Sequence, residues 1–381
     1  MKSDIHIMLV SAQAAANLLP ALDPALKPKR AVLVVTEKMR ARAEQLADVL
    51  RQTGVAPSLV ALENEHDFAA IEATLLAVAT EHEGQSIALN VTGGTKFMAL
   101  AAQSVAAAAQ WAVFYVDIDT DEVIWLGNKP VRHRLDQKLG LRNYLGGYGM
   151  SFVANPMPLA TTEKQVDLLR NLLTRIGDFE NALGSFNYLA QGAEHNGSLA
   201  ASMDANQRDS RSLGELLSLF ADAGHLKVSG ADIRFTSKAD LQFAKGGWLE
   251  HHVYEALTRM KGELHIRDHA ANLKLVTTDA NRVKTELDAA FIANNRMYVI
   301  ECKTARMDSA ETTKANDTLF KLSDNCRRIG GIGTHGMLAT YRPLRDAEKK
   351  LAKALGITVV AGAELARLNE KLRNWVRPHP A

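Results

Sequence analysis

Within the first 117 residues, short apolar runs alternate with stretches of helical periodicity, and this rhythm constrains the fold more than any other feature of the chain. Residues 5–10, 31–36, 58–62, 86–91 and 112–117 read as buried strands. Between them, residues 14–22, 38–52, 67–80 and 96–109 place apolar side chains at helical spacing. Strands alternating with helices predict an α/β domain, a parallel sheet covered by helices on both faces. A hairpin turning at Thr120-Asp121 is expected to end this domain.

Residues 140–160 break both periodicities. Leu-Arg-Asn-Tyr-Leu-Gly-Gly-Tyr-Gly-Met, then Asn-Pro-Met-Pro, reads as a linker. Residues 162–190 are expected to be helical, and the polar stretch 191–210 to be a mobile loop. An amphipathic helix over 212–224, with strands at 225–228 and 233–236, has the outline of a small winged-helix unit. Few basic residues sit on that helix, which favours a structural connector over DNA recognition. From Lys245 onward the pattern predicts a helix over 247–260, a short strand near 264–266 and a hairpin. A helix over 312–329 follows, then a strand at 336–339, a helix at 344–355, a strand at 358–361 and a helix over 363–375. The organisation is therefore an α/β domain over 1–148, a connector over 149–240 and a second α/β domain over 241–381.

The 381 residues carry a net charge of +2, so any nucleic-acid contact must come from local patches rather than an overall basic field. Only two cysteines occur, Cys302 and Cys326, which excludes a disulfide framework or a cysteine-rich zinc site and suits a reducing cytosol. The N-terminus has no signal-peptide pattern, and no apolar run is long enough to cross a bilayer, so a cytoplasmic protein without membrane contact is expected.

The segment Val283–Thr304 fixes its own geometry. Two strand-like runs flank Ala293-Asn294-Asn295-Arg296. Asparagine tolerates positive φ, so Asn294-Asn295 suits a two-residue hairpin turn. That turn pairs 293 with 296, 290 with 299, 288 with 301 and 286 with 303. Directly paired residues share a face. Glu286, Asp288, Glu301 and Lys303 then lie together, and Leu287, Ala289, Phe291, Tyr298, Ile300 and Cys302 form an apolar opposite face. Carboxylates placed opposite one another repel unless something positive lies between them. A divalent cation answers that need, and Mg²⁺ or Mn²⁺ prefers such oxygen ligands. Lys303 would orient a water or stabilise transition-state charge. A solvated hairpin face with a Glu286–Lys303 ion pair is the bland alternative, and Asp288 opposite Glu301 argues against it.

Asp288, twelve residues, then Glu301-Cys302-Lys303 at the end of an apolar strand resembles the core of PD-(D/E)XK nucleases. Upstream, Gly246-Gly247-Trp248-Leu249-Glu250 opens a helix. The resemblance implies that Glu250 ligates or supports the metal and that the backbone carbonyl of Cys302 joins Asp288 and Glu301 as a ligand. Leu287 stands where that family has proline. His251 and His252 lack a metal-binding spacing and read as a surface and a half-buried histidine. Cys302, on the apolar face, is expected to be an inert core thiol. Lys314, Lys321, Arg327 and Arg328 either track a nucleic-acid backbone or solubilise their helix.

The fourth strand of the first domain ends in Asn90-Val91-Thr92-Gly93-Gly94-Thr95-Lys96-Phe97-Met98. Strand, glycine turn and helix make an anion-binding arrangement, with free backbone amides and the helix dipole aimed at the ligand. It is neither a Walker A loop nor a G-x-G-x-x-G loop. Ligands of open α/β sheets sit beyond the carboxyl ends of the strands, so Ser11, Gln13, Thr36, Met39 and Asp117 should border the same site.

The Asn-x-Thr-Gly-Gly-Thr-Lys-x-Met string resembles the signature of CARF domains, Rossmann-like sensors of cyclic oligoadenylates. With the nuclease-like C-terminal part, the chain resembles the CRISPR ancillary nucleases of type III antiviral defence. That resemblance implies a homodimer whose two CARF domains share one cyclic tetra-adenylate. It implies a ligand site drawn from Ser11, Gln13, Thr36, Met39, Asn90, Thr92, Gly93, Gly94, Thr95 and Lys96. It further implies a Mn²⁺- or Mg²⁺-dependent endonuclease that cuts single-stranded DNA or RNA and nicks duplex DNA. A ligand-responsive transcription regulator acting through 212–237 is the alternative, and it has no need of Asp288, Glu301 and Lys303 together.

Overall fold

The computed structural model describes residues 2–136, 138–304 and 314–376. The N-terminal half opens with β1 (Ile5–Leu9), α1 (Ala15–Leu22), β2 (Arg30–Thr36), α2 (Arg40–Gln52), β3 (Ala56–Leu62) and α3 (Phe68–Glu81). It continues with β4 (Ile87–Asn90), α4 (Lys96–Ala108), β5 (Ala112–Asp117), β6 (Glu122–Leu126) and β7 (Val131–Arg134). The seven strands lie in the order β3-β2-β1-β4-β5-β6-β7. Strands β1 to β5 pair in parallel, and β6 and β7 add an antiparallel edge. Asp121, at φ 54°, makes the expected β5–β6 turn. Chain direction across the sheet reverses beside β1, so the crevice beyond β1 and β4 is a topological switch point. Leu18, Leu46 and Leu50 of α1 and α2 cover one face, and Ile71, Leu75, Met98 and Ala102 of α3 and α4 cover the other.

The expected linker is ordered structure. Residues Leu141–Gly147 form α5, and Met150–Phe152 form β8. The glycines that look like breakers permit close packing. A Cβ on Gly146 would come within 2.8 Å of Val49, and one on Gly147 within 2.7 Å of Leu18. Strand β8 then pairs with residues 275–277 of the C-terminal sheet.

The middle of the chain forms α6 (Glu163–Thr174), α7 (Glu180–His195), β9 (Ala200–Ser202), α8 (Ala205–Asp209) and α9 (Arg211–Asp222). Strands β10 (Leu226–Ser229) and β11 (Asp232–Phe235) complete it. The stretch read as a mobile loop therefore holds the end of α7, a strand and a helix. Asp204 caps α8 by accepting from the Gln207 amide at 2.8 Å, and β9 pairs with β11 to make a three-stranded sheet. Helix, strand, two helices and a hairpin is a winged-helix order. This unit is not a free connector, because Phe186, Phe220 and Phe235 share one core with Trp248, Phe291 and Tyr298 of the C-terminal half.

That half comprises α10 (Lys238–Gln242), α11 (Trp248–Arg259), β12 (Ile266–Thr277), β13 (Lys284–Ala293) and β14 (Arg296–Lys303). It ends with α12 (Lys314–Gly330), β15 (Thr334–Thr340), α13 (Asp346–Ala354), β16 (Ile357–Ala361) and α14 (Leu368–Trp375). Its sheet runs β16-β15-β14-β13-β12-β8. The short strand expected near 264–266 is the 12-residue β12. The start of α12 expected at Thr312 lies outside the described residues. No helix among the described residues is long and apolar enough to cross a membrane.

Candidate active site and sensor site

The hairpin register agrees with the sequence. Asn294 and Asn295 take φ of 49° and 55°, and pairing runs from Ala293↔Arg296 to Ala289↔Ile300. Beyond that pair the strands separate, and Asp288 fills the gap. Its Oδ2 accepts the Cys302 amide at 2.7 Å.

One expectation about the faces is wrong. Leu287 packs with Ala290 and Ile292, whereas Ala289 and Phe291 join the opposite core. The pleat therefore flips at Asp288. The partner strand flips too: Asn272 sits at φ 50°, between the pairs Ala271↔Ala289 and Leu273↔Leu287. Positive φ at a mid-strand residue breaks the alternation of side chains. Glu286 forms no ion pair with Lys303 among the described residues: its carboxylate stands 4.0 Å from Lys274, and its charge bears on Glu250.

Asp288, Glu301 and Lys303 do converge. Lys303 Nζ lies 2.6 Å from Glu301 and 3.7 Å from Asp288. Glu250 enters from the first turn of α11. That helix can start here because residue 246 is glycine: a Cβ would meet Thr304 Oγ1 at 2.4 Å. Thr304 Oγ1 also donates to the Lys245 carbonyl at 3.2 Å, tying the helix start to the end of β14. Asn272 lies beside the Glu250 carboxylate and favours its charged form. Sequence reasoning missed Asn272, and its only signal was a lone asparagine inside an otherwise alternating strand.

The electrostatics are strained. Burial and the Glu301 charge push Asp288 up to about 7, against the pull of Lys303 and the Cys302 amide. Burial also raises Glu250, opposed by Asn272 and Lys303. Burial pulls Lys303 down, but Asp288 and Glu301 outweigh it and hold the ammonium above its ordinary value. The Cys302 thiol is buried and held well above the usual range, as an inert core thiol should be.

Among the described residues, no three His, Cys, Asp or Glu side chains stand close enough to hold one metal as they are. The acidic groups are organised about Lys303 instead. Their chemistry nevertheless fits a hard divalent cation, with carboxylate oxygens in a low-dielectric pocket whose protons are easily displaced. Lys303 would have to yield its contact with Glu301. Of the helical cations, Lys314 lines a cleft near this site, whereas Arg328 pairs with Asp324 at 3.9 Å. His252 is buried against the Leu365 carbonyl, and His251 meets Thr161 at 3.2 Å, so neither faces the acidic cluster.

In the N-terminal half, the glycine turn lies at the switch point between β1 and β4. A Cβ on Gly93 would fall 2.1 Å from the Leu9 carbonyl, and Gly94 sits at φ 74°. Thr95 caps α4 by accepting from the Met98 amide at 3.2 Å, and Lys96 is exposed beside it. Ser11 and Gln13 follow β1 on the same rim.

Asn90 and Thr92 are tied into the turn by hydrogen bonds. Asn90 is buried and donates to Ala16 O at 2.9 Å and Asn17 Oδ1 at 2.8 Å, while its Oδ1 accepts from Thr92. Thr92 Oγ1 also accepts the Val116 amide at 2.7 Å. Both side chains hold the turn in shape. Thr36 is buried, and Met39 is half-buried against the α1–α2 core.

The family described as the Card1 CARF domain matches residues 5–144, and the Card1-like endonuclease domain matches residues 237–379. This chain belongs to the CARF nuclease family of CRISPR ancillary proteins. As a CARF nuclease it is a phosphodiester-cleaving enzyme. Protein VC1899 from Vibrio cholerae is similar in structure, at 24% identity over 98% of this chain and 97% of its own, with a TM-score of 0.87. Can2 from Sulfobacillus thermosulfidooxidans, solved in complex with cyclic tetra-adenylate, is 25% identical over 99% of this chain and 100% of its own, with a TM-score of 0.82. A type III CRISPR defence DNA nuclease activated by cyclic oligoadenylate shares the fold at 17% identity and a TM-score of 0.63, with this chain spanning 52% of it. No curated protein sequence matches this CARF nuclease.

Proposed function

We propose that this CARF nuclease is a divalent-metal-dependent endonuclease for single-stranded nucleic acid, switched on by cyclic tetra-adenylate bound across a homodimer. One observation carries the reading: the turn of the catalytic hairpin is docked in the sensor half. Arg296 donates to the carbonyls of Ile118 (3.3 Å) and Asp119, just past β5, while Asp288 and Glu301 lie at the far end of the same two strands. A shift at the carboxyl ends of the sensor sheet is thereby delivered to the carboxylates.

In the sensor, the amides of Gly93 and Gly94 and the N-terminus of α4 receive phosphate, with Lys96 adding charge. Ser11 and Gln13 border the ligand. Gln13 Oε1 accepts from Tyr148 at 3.3 Å, and a Cβ on Gly331 would lie 2.6 Å from its Nε2, so a ligand touching Gln13 touches both halves. Phe97 and Leu100, 49% and 65% exposed, flank the turn and offer an apolar face to a second copy.

In the nuclease half, Asp288, Glu301 and the Cys302 carbonyl would hold Mn²⁺ or Mg²⁺, with Glu250 in support. The cation would supply Lewis-acid charge and an activated water there. Lys303, released from Glu301, offers its ammonium to the charge that develops on the scissile phosphate. The regulator alternative is not favoured, because the exposed positions of α9 include a single cation, Arg211, which pairs with Glu215 at 2.9 Å.

Purified protein should be incubated with Mn²⁺ or Mg²⁺, with and without cyclic tetra- and hexa-adenylate, on single-stranded DNA, single-stranded RNA and supercoiled plasmid. We expect cleavage that requires metal and cyclic tetra-adenylate and that Glu301→Gln removes. Cleavage that survives Glu301→Gln would refute the site, and cleavage indifferent to every cyclic nucleotide would refute the switch.

A further inference from the structure

Strands β12, β13 and β14 lie side by side in the nuclease sheet, so the residue that faces Asp288 from the side away from Glu301 belongs to β12. The pairs Ala271↔Ala289 and Leu273↔Leu287 make it Asn272. In an unbroken pleat, Ala270 and Leu273, three residues apart, would point to opposite faces. Both instead lie in the same core. The left-handed backbone of Asn272, at φ 50°, accounts for that odd spacing, and it leaves the Asn272 side chain exposed between two buried neighbours, Ala271 and Leu273. Helix α11 packs against β12, and the Glu250 carboxylate from its first turn lies beside Asn272.

The residue type at this kink is narrowly constrained. Left-handed backbone admits Gly, Asn and Asp readily and penalises most other residues. Glycine would bring no side chain. Aspartate would add a fourth carboxylate to Glu250, Asp288 and Glu301. Of the three, asparagine alone brings N–H donors without charge. The polar groups then divide across the site. Lys303 Nζ stands 2.6 Å from Glu301 and 3.7 Å from Asp288, and Asn272 serves Glu250 from the opposite flank.

We propose that Asn272 is a positioning residue for the cleavage reaction: its side-chain amide turns the Glu250 carboxylate toward the cation that Asp288 and Glu301 would hold. A glutamate on a helix surface has several rotatable bonds, and ordering it costs rotamer entropy. A neighbouring amide supplies that order before the cation arrives. Metal-binding carboxylates are held by hydrogen-bonding groups of this kind, and loss of one costs roughly 10–100-fold in metal affinity or activity. The break in the β12 pleat is then a means of delivering an amide to the acids. The assignment rests on the metal-site reading of the carboxylates, and its test can be separated from the nuclease reading.

The test is a double-mutant cycle in the full-length protein, read by calorimetric titration with Mn²⁺ alone. Asn272→Gly removes the amide and keeps a residue that accepts φ 50°, so the kink survives. It should weaken Mn²⁺ binding about 10-fold. Glu250→Gln should weaken it by a similar or larger factor. Asn272→Gly added to Glu250→Gln should cost less than about twofold more, because the amide acts through that carboxylate. In cleavage assays on single-stranded DNA with Mn²⁺ and cyclic tetra-adenylate, Asn272→Gly should raise the Mn²⁺ requirement and lower kcat, with KM for the oligonucleotide unchanged. Losses of Mn²⁺ affinity that multiply in the double variant overturn the proposal, as does Mn²⁺ binding by Asn272→Gly within twofold of the unmodified protein. A raised KM with unaltered Mn²⁺ affinity would make Asn272 a substrate contact and overturns it too. Should the unmodified protein bind Mn²⁺ and cleave nothing, the nuclease reading fails, while the cycle still decides the role of Asn272.

Discussion

The chain carries two strand-end sites of opposite character. At the glycine turn every side chain that shapes the site has its hydrogen bonds filled: Asn90 to Asn17, Thr92 to Val116, Thr95 to Met98. At the carboxylate site the groups work against one another, with Asp288 pushed up to about 7 and Lys303 wedged between acids. The first site is preorganised and needs only a ligand. The second holds repulsion in reserve and needs a cation to relieve it. A sensor gains affinity from rigidity, whereas a regulated catalytic centre gains from being incomplete until a distant element moves.

The contrast is tested most severely by Asp288→Asn. Cleavage should fall at least ~1,000-fold, because a metal ligand is lost. Stability should move the other way. Folded Asp288 titrates near 7 and an unfolded aspartate near 3.8, so the folded metal-free protein holds the extra proton between those values. Its stability therefore falls as pH rises through that window. At pH 8 without metal the variant should be more stable by roughly 2–4 kcal/mol, measured by denaturant unfolding. A variant less stable than the parent would show that the acids are not in conflict. By the same linkage, metal affinity should rise with pH up to about 7 and then level, which calorimetry would follow.

Gly93→Ala comes next. The new methyl meets the Leu9 carbonyl, so cyclic tetra-adenylate binding should drop about 100-fold or more, with a stability loss of roughly 1–3 kcal/mol. Retained binding would mean the turn is not the ligand site. Arg296→Ala sharpens the comparison by separating the two sites. Ligand affinity should stay within twofold while activation falls about 10-fold, in keeping with typical coupling energies. Unchanged activation would send the signal through Gln13 and Gly331 instead. The smallest effect is expected from Thr92→Ala, which strands the Val116 amide and removes one of the two donors to Asn90 Oδ1, and should cost about 1–2 kcal/mol in thermal or chemical denaturation.

Much of this was legible in the sequence, for identifiable reasons. Periodicity gave β1, β2 and β4 because buried parallel strands are continuous apolar runs, whereas β3, also expected to be buried, is an edge strand with only Leu62 buried. Asn294-Asn295 gave the register because a two-residue turn leaves no slack. Glu286 was misplaced because register arithmetic assumes an unbroken pleat, and the positive φ of Asn272 on a neighbouring strand leaves no trace in the hairpin itself. The turn-holding bonds of Asn90 were not legible because polar residues at a strand end look alike whether they face a ligand or hold a turn. The linker misled because Gly146 and Gly147 signal a chain break locally, while their purpose, contact with Val49 and Leu18, is tertiary.

That misread linker also bears on engineering. Strand β8 is encoded before the winged-helix unit yet forms the outer edge of the nuclease sheet, hydrogen-bonded along residues 275–277. A transplant of the effector that begins at residue 237 would leave that edge bare and remove α6 and α7 from its core, inviting strand-to-strand aggregation. Swapping the sensor while keeping a working effector is better done with a cut ahead of Leu141 than at any conventional domain boundary.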